Sequence, residues 1–599
     1  MAISNTHDPA LQTQPLTTAT DRSKPRKPFR LWPGVVAAGL LVLLRYIVPA
    51  IAPDVMLGPL PLAFVAVMGG MAMSLVILGW WLFFSRAPWL ERLAAILLMI
   101  AGLFLTYRLV DKSISGGAMG FLLFVLAVPI LTVALVVWAV GSRRLSRGAQ
   151  RLSMAAVLLL TCGAFTLIRT GGFTGDFDND FHWRWTKTPE QRLLAQGADE
   201  PVANSATAAT VASNSMADWP GFRGVERDGI VTGVRIETDW SKSHPVEMWR
   251  RPIGPGWSSF AVAGNLVYTQ EQRGDDEEVT CYDLNTGKPI WRHHDAARFW
   301  ESNAGAGPRG TPTLNKGRLY TLGATGIVNA LDAGNGQVIW TRNAATDTKT
   351  KTPGWGFSGS PLVVDDLVIV AAAGNLIAYN VANGEPRWST LDGGGGYSSP
   401  QLVKINGVAQ VLLLNSKGAI SVAPADGRKL WQFPLSSSAR ITQPAMTADG
   451  DVLVNEGEGN ALRRIAVANN SGAWSVQERW QSDGLNPYFN DFVVLGENAF
   501  GFSGSSIVCI DLKNGELKWK GGNFGHGQLL LLRDQSLLVV LTEQGEIALV
   551  KAAPDQFAEL ARIPAIKGKT WNHPVLVHDM LLVRNGEEMA AFRLPLART

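Results

Sequence analysis

Apolar residues are unevenly spread along this 599-residue chain. Five long apolar runs stand near its front: Leu31–Val48, Leu62–Phe84, Leu93–Tyr107, Met119–Val140 and Leu152–Ile168. A helix of roughly 20 residues crosses a hydrocarbon core of about 30 Å, so these runs read as membrane spans, the third and fifth a little short. After Ile168 the long runs stop. Short apolar stretches then alternate with clusters of Gly, Asn, Asp and Pro, the pattern of strands joined by turns. The chain is expected to be an all-α transmembrane bundle of five helices followed by an all-β domain.

Charge orients the helices. Residues 1–30 are polar and end in Arg22, Lys24, Arg26, Lys27 and Arg30, which reads as a cytoplasmic disordered tail. Arg86 and Arg92 follow the second run, and Arg143, Arg144, Arg147 and Arg151 follow the fourth. Pro49–Pro59, after the first run, has no Lys or Arg. Positive residues stay on the cytoplasmic side, so the N-terminus is expected inside and everything after Ile168 outside. The predicted location is the inner (cytoplasmic) membrane, multi-pass, with the β domain periplasmic. No acidic or His residue stands at mid-depth in a run, which argues for an anchor, or a dock for a lipid-soluble molecule, over an ion pathway.

The β domain repeats itself. Cys281-Tyr-Asp-Leu-Asn-Thr-Gly-Lys-Pro-Ile-Trp291 returns with variations ending at Trp340, Trp388, Trp431 and Trp519. Each copy has Gly four residues before Trp (Gly287, Gly336, Gly384, Gly427, Gly515) and a small residue ten before it. The Gly follows Thr, Asn or Asp, the chemistry of a hairpin turn that needs positive φ. A repeat of about 40 residues made only of strands signals a β-propeller. With Trp249, Trp480 and a degenerate position near Arg562 the spacing marks eight blades. The eighth is closed by both chain ends: Trp571–Leu596 supplies three strands and Val246–Arg251 the fourth.

This pattern resembles the tryptophan-docking repeat of PQQ-type propellers, shared by quinoprotein dehydrogenases and the lipoprotein propeller of outer-membrane barrel assembly. The resemblance implies that Trp249, Trp291, Trp340, Trp388, Trp431 and Trp519 are structural, each wedged against the neighbouring blade. It specifies a fold and not an activity. The expected domains are a tail (1–30), a transmembrane domain (31–169), a juxtamembrane segment and linker (170–216) and an eight-bladed propeller (217–599).

Within the joint, Thr188-Pro189-Glu190-Gln191 reads as a capping box opening a helix. Asp176, Asp178 and Asp180 have the spacing of a calcium loop, but Phe181 replaces the required Gly and Lys187 the closing Glu, so a solvated acidic turn is expected. Phe181, Trp183 and Trp185 alternate as in a short strand or an interfacial aromatic belt.

Segments such as Gly256-Trp-Ser-Ser, Gly356-Phe-Ser-Gly-Ser-Pro361 and Trp571-Asn-His-Pro574 introduce the innermost strands and converge on the ring axis. Small residues there let eight strands crowd together. Beside them stand Trp257, Arg309, Trp355, Tyr397, Arg440, Asn490, Asp491, His526 and His573, with Glu301 and Asn303 on a long loop. These are the candidate ligand-binding residues of a central funnel. No catalytic residue and no metal site is assigned.

The formal net charge of +4 gives no reason to expect nucleic acid as a partner. The three cysteines are expected reduced and packed, since Cys281 and Cys509 lie in blades far apart. Gly-x-Ser-x-Gly and zinc-ligand spacings are absent, which leaves the hydrolase reading little support. Two functions remain. One is a membrane-anchored extracytoplasmic binding or interaction module, similar to the barrel-assembly propeller in its compact blades. The other is a PQQ- and Ca²⁺-dependent membrane quinoprotein dehydrogenase that oxidises an alcohol or sugar and passes electrons to ubiquinone. Membrane-bound quinoprotein glucose dehydrogenase is similar to the chain in overall plan. In that reading Arg309 and Arg440 would hold carboxylates of PQQ. The compact blades favour the first. The expected partners are the lipid bilayer and either another envelope protein or a quinone.

Overall fold

A computed structural model describes residues 29–51, 56–57, 60–175, 179–196, 217–390, 393–436, 440–457 and 461–597. The N-terminal tail, Asp176, Asp178 and the stretch 197–216 lie outside the described residues. The chain divides into two compact units, residues 1–106 with 124–164, and residues 107–123 with 165–599.

The first unit is helical. Five helices are long and apolar enough to cross a membrane: Trp32–Ile51, Phe64–Phe84, Trp89–Leu109, Leu122–Arg144 and Arg147–Leu167. Their outward side chains are large and apolar, with Leu75, Phe83, Leu90, Leu97 and Leu160 each more than 60% exposed. Water would make that surface costly; hydrocarbon would not. Tryptophans pack the inside. The Trp80 indole donates to the Arg30 carbonyl at 2.9 Å, and Trp81 meets Trp138 edge-on at 6.0 Å. Glu91 is buried with its charge met by Arg151 at 3.1 Å.

The second unit contains an eight-bladed propeller in which every blade is an antiparallel four-stranded meander. Blade 1 runs Ala261–Ala263, Leu266–Arg273, Asp276–Asp283, Pro289–Asp295. Blades 2 to 7 follow in chain order, beginning at Thr313, Leu362, Gln401, Ala445, Val493 and Gln528. Blade 8 joins Val575–Val577, Met580–Arg584 and Glu588–Arg593 to an outer strand from far upstream, Val246–Pro252. Closure removes the open sheet edges that invite aggregation.

The repeat motif explains how blades meet. On five outer strands Trp faces the small residue ten positions earlier: Cys281 opposite Trp291, Ala330 opposite Trp340, Ala378 opposite Trp388, Ser421 opposite Trp431 and Cys509 opposite Trp519. Its indole N–H then reaches the next blade. Trp249 donates to the Leu284 carbonyl, Trp291 to Ala333, Trp340 to Val381 and Trp388 to Pro424, all at 2.7–3.0 Å. The ring rests on the next blade's turn glycine. At Gly384, φ is +71° and an added Cβ would stand 2.7 Å from the Trp340 ring, so both the turn and the contact require glycine.

Two positions depart from the pattern. Trp431 donates to Gln410 of its own blade, because blade 5 presents a longer hairpin turning at Ser471-Gly472. Arg562 takes the Trp register position in blade 7, opposite Ala548, and stacks over Phe524 while pairing with Glu546 and Glu559.

The ring closes at the seam between blades 8 and 1. There the fully buried Arg584 donates to Thr269 Oγ1 at 2.6 Å and to the carbonyls of Gln270 and Gly254. The segment Trp219–Val231, which carries no repeat motif, is threaded through the ring. Trp219 bridges Val262 of blade 1, and the Pro220 carbonyl accepts from Leu314 of blade 2. Arg227 donates to the carbonyls of Ser360 and Pro361, where the chain enters blade 3, and Arg223 to that of Phe492 beside blade 6. Ile230–Val231 adds a parallel fifth strand to blade 7.

The capping box forms as a reciprocal pair: Gln191 N donates to Thr188 Oγ1 at 3.0 Å and Thr188 N to Gln191 Oε1 at 2.9 Å. Ile168–Phe173 and Asn179–Trp183 make a two-stranded ribbon, with Trp183 stacked on Trp185 at 5.1 Å. Asp180 pairs with His182 at 2.7 Å. The three cysteines are free and buried.

The blade seams generate a first prediction. Trp340→Ala removes a buried indole and leaves the Val381 carbonyl without its donor, which should cost about 3–5 kcal/mol. Chemical unfolding of the detergent-solubilised full chain checks this; an unchanged midpoint would contradict docking as the source of blade cohesion.

Candidate functional site

The loops leading into the inner strands converge on a cavity of about 430 Å³, and every blade contributes to it. Trp257 comes from the approach to blade 1, Arg309 from blade 2, Trp355 and Ser358 from blade 3, and Tyr397 and Ser399 from blade 4. Ile441 and Gln443 precede blade 5, Tyr488, Phe489 and Asp491 blade 6, Gln528 opens blade 7, and Trp571 and His573 precede blade 8. Glu301 and Asn303 reach in from the loop between blades 1 and 2. Of the funnel residues expected from sequence, Trp257, Glu301, Asn303, Arg309, Trp355, Tyr397, Asp491 and His573 line this cavity. Arg440, Asn490 and His526 are buried but do not line it. His526 packs on Phe489 at 5.8 Å, and Asn490 accepts from the Tyr488 amide at 3.2 Å.

Aromatic groups supply most of the wall. Trp257 leans on Trp571 with centroids 4.9 Å apart, and Trp355 on Tyr397 at 4.8 Å. The Trp257 indole is fixed by the Ala304 carbonyl at 2.8 Å, and the Trp571 indole by Glu543 at 2.7 Å. Phe222, carried by the threaded segment, also lines the cavity and meets His573 edge-on at 5.0 Å.

The polar groups are largely committed to one another. Asp491 accepts from the Gln443 amide at 2.7 Å and stands 3.3 Å from His573 and 3.7 Å from Arg223. Burial pushes the Asp491 carboxyl up, but Arg223 and His573 outweigh it and hold the group below its ordinary value. His573 is driven below its ordinary value by burial, which Asp491 only partly offsets. Glu301 accepts from the amides of Asn303 and Ala304 and pairs with Arg309 at 3.4 Å. Arg309 also donates to the carbonyls of Gly305, Ala306 and Gly307, and burial lowers it to about 10.

A strip of chain before the propeller covers one side of the cavity. Phe173, Thr174 and Gly175 line it, together with Ala118 and Met119. Lys569 donates to the carbonyls of Phe173 and Asn303, both at 3.0 Å, and Glu543 accepts from the Gly175 amide at 2.7 Å. The Lys569 ammonium lies 4.4 Å from the Trp571 ring centroid, and burial lowers it to about 8 against the pull of Glu301 and Glu543.

PQQ with Ca²⁺ makes specific demands: cations for several carboxylates and a cluster of oxygen ligands for the metal. Arg309 is spent on its own loop, and Arg440 is not part of the wall. No group of three or more His, Cys, Asp or Glu able to hold a metal occurs among the described residues. The cavity does not fit that cofactor, and no redox step is derived from it.

Sequence reasoning missed Phe222, Trp571, Phe489, Gln528 and the Phe173–Gly175 strip. Trp571 had a signal, since it opens an inner-strand segment as Trp257 does. Phe222 and Phe173 had none, because they lie outside the repeats.

Comparison with known proteins places these features beside relatives. A family model described as outer membrane protein assembly factor BamB matches residues 409–523. The chain is similar to outer membrane protein assembly factor BamB of Yersinia pestis, 24% identical over 369 residues, covering 58% of this chain and 88% of that one. It is 26% identical over 320 residues to the protein of the same name from Burkholderia pseudomallei, covering 44% and 78%. Among solved structures, quinohemoprotein alcohol dehydrogenase from Comamonas testosteroni aligns with a TM-score of 0.48 at 12% identity, covering 66% of this chain and 85% of that one. BamB from Moraxella catarrhalis aligns with a TM-score of 0.42 at 12% identity, covering 59% and 99%.

The Asp491–His573 pair carries a pH prediction. Folded His573 protonates less readily than the unfolded residue, whose ordinary value is 6.5. Its stabilising contribution is therefore complete above that value and lost as pH falls below it. Asp491 adds no slope in that window, since its carboxyl is held below the ordinary 3.8. Glu277, raised by burial to about 7, slopes the opposite way, so variants must be compared. Between pH 7.5 and 5.5, His573→Gln should lose less melting temperature than the parent chain. Equal losses would mean that folding does not depress His573.

Proposed function

We propose that this chain is an envelope protein in which five membrane-spanning helices anchor an extracytoplasmic binding propeller, with the N-terminus cytoplasmic. The observation that carries this reading is the cavity: eight blades deliver an aromatic wall whose charged groups are already paired, an arrangement built to hold a molecule by shape. The relatives matched along most of their length are named as outer membrane protein assembly factors, which supports a protein partner in the envelope. The alternation of arginines between successive loops supports the orientation. The helices supply attachment, and the propeller supplies recognition.

Two measurements test this. Alkaline phosphatase fused after Ile168 should be active and a fluorescent protein fused there dark; the reverse would overturn the orientation. Depleting the chain should lower the amount of folded outer-membrane protein, and the purified chain should reduce no dye with PQQ, Ca²⁺ and an alcohol or sugar. Dye reduction under those conditions would overturn the binding reading in favour of a dehydrogenase.

A further inference from the structure

The walls of the cavity narrow what can occupy it. Both wall carboxylates have partners: Asp491 has Arg223 and His573, and Glu301 has Arg309. A charged ligand would lose its hydration without gaining an uncommitted counter-ion, a cost of several kcal/mol. Neutral ligands escape that cost.

Aromatic groups line the cavity from three parts of the ring: Trp257 with Trp571, Trp355 with Tyr397, and Tyr488 with Phe489. Such side chains give large apolar contact to a flat ring at little entropic cost. The volume of about 430 Å³ lies at the small end for ligand pockets. Phe173–Gly175, clasped by Lys569 and Glu543, occupies one side of the approach. A small ring system fits this space better than a polypeptide segment.

We infer that the cavity is a binding site for an uncharged, flat ring system. This rests on the propeller being a binding module, and it names what that module's cavity takes.

Isothermal titration calorimetry on the detergent-solubilised full chain, with empty micelles as blank, tests it with three probes: 2-naphthol, 2-naphthalenesulfonate and 2-naphthylmethylammonium. The expected result is one saturable site for 2-naphthol and at least tenfold weaker binding of both charged probes. Ser358→Phe, which fills the cavity from blade 3, should abolish 2-naphthol binding, and Ser399→Phe from blade 4 serves as the test if that variant does not fold. Equal binding of the sulfonate, or 2-naphthol binding untouched by a folded variant, would overturn the inference. Absence of a 2-naphthol site in a chain whose depletion still lowers outer-membrane protein would overturn this inference alone. Dye reduction with PQQ and Ca²⁺ would instead strike the underlying reading.

Discussion

The indole of one blade reaching the turn of the next is the interaction on which the rest of the second unit depends. Trp249, Trp291, Trp340 and Trp388 each give a hydrogen bond across a seam and bury a ring against glycine. A four-stranded sheet cannot bury both faces by itself. Stacked on neighbours at a fixed angle it can, and the angle decides whether the blades close into a ring. Where the seam changes its chemistry, as at Trp431 and Arg562, other contacts take over: a bond to Gln410 within the blade, or a carboxylate-bound guanidinium over Phe524.

Closure falls to blade 8, whose strands come from opposite ends of the propeller segment. Its outer strand pairs with Glu588–Arg593 in a register that sets Trp249 opposite Ala591. Arg584 then crosses into blade 1 with its guanidinium donors facing carbonyls. A buried cation is expensive unless its hydrogen bonds are met, so this residue favours the closed ring over an open one. The threaded segment adds a second tie, since Arg223 and Arg227 bond to carbonyls near blades 6 and 3.

The cavity inherits its character from that geometry. Eight converging loops leave a central space, and aromatic side chains fill its wall without the density of a core. Ion pairs inside it are short-range and internally balanced, which leaves ring faces as the means of recognition. The strip Phe173–Gly175 is held at the same cavity by two amides, Phe173 N to the Asn303 carbonyl and Gly175 N to Glu543, and by the buried Lys569, which donates to the Phe173 and Asn303 carbonyls.

The sequence by itself determined the elements and their count. Five apolar runs and a Gly–Trp repeat are local patterns: a helix must be apolar along its length to lie in hydrocarbon, and a hairpin turn needs its glycine wherever it stands. Even the closing strand was legible, because Val246–Arg251 stood unpaired before the first complete blade. Cavity residues were legible where they sat at a recurring place before an inner strand, as Trp257, Tyr397 and Asp491 do. Only the tertiary structure decided which of those side chains remain available. Arg309 and Arg440 occupy comparable places in the sequence, yet one is tied to its own loop in the wall and the other is buried away from the cavity. It also brought in Phe222, Phe173 and the Lys569–Asn303 contact, which join residues hundreds of positions apart. Such contacts have no local signature, because closing the ring fixes which loops become neighbours, and that closure is a property of all eight blades together.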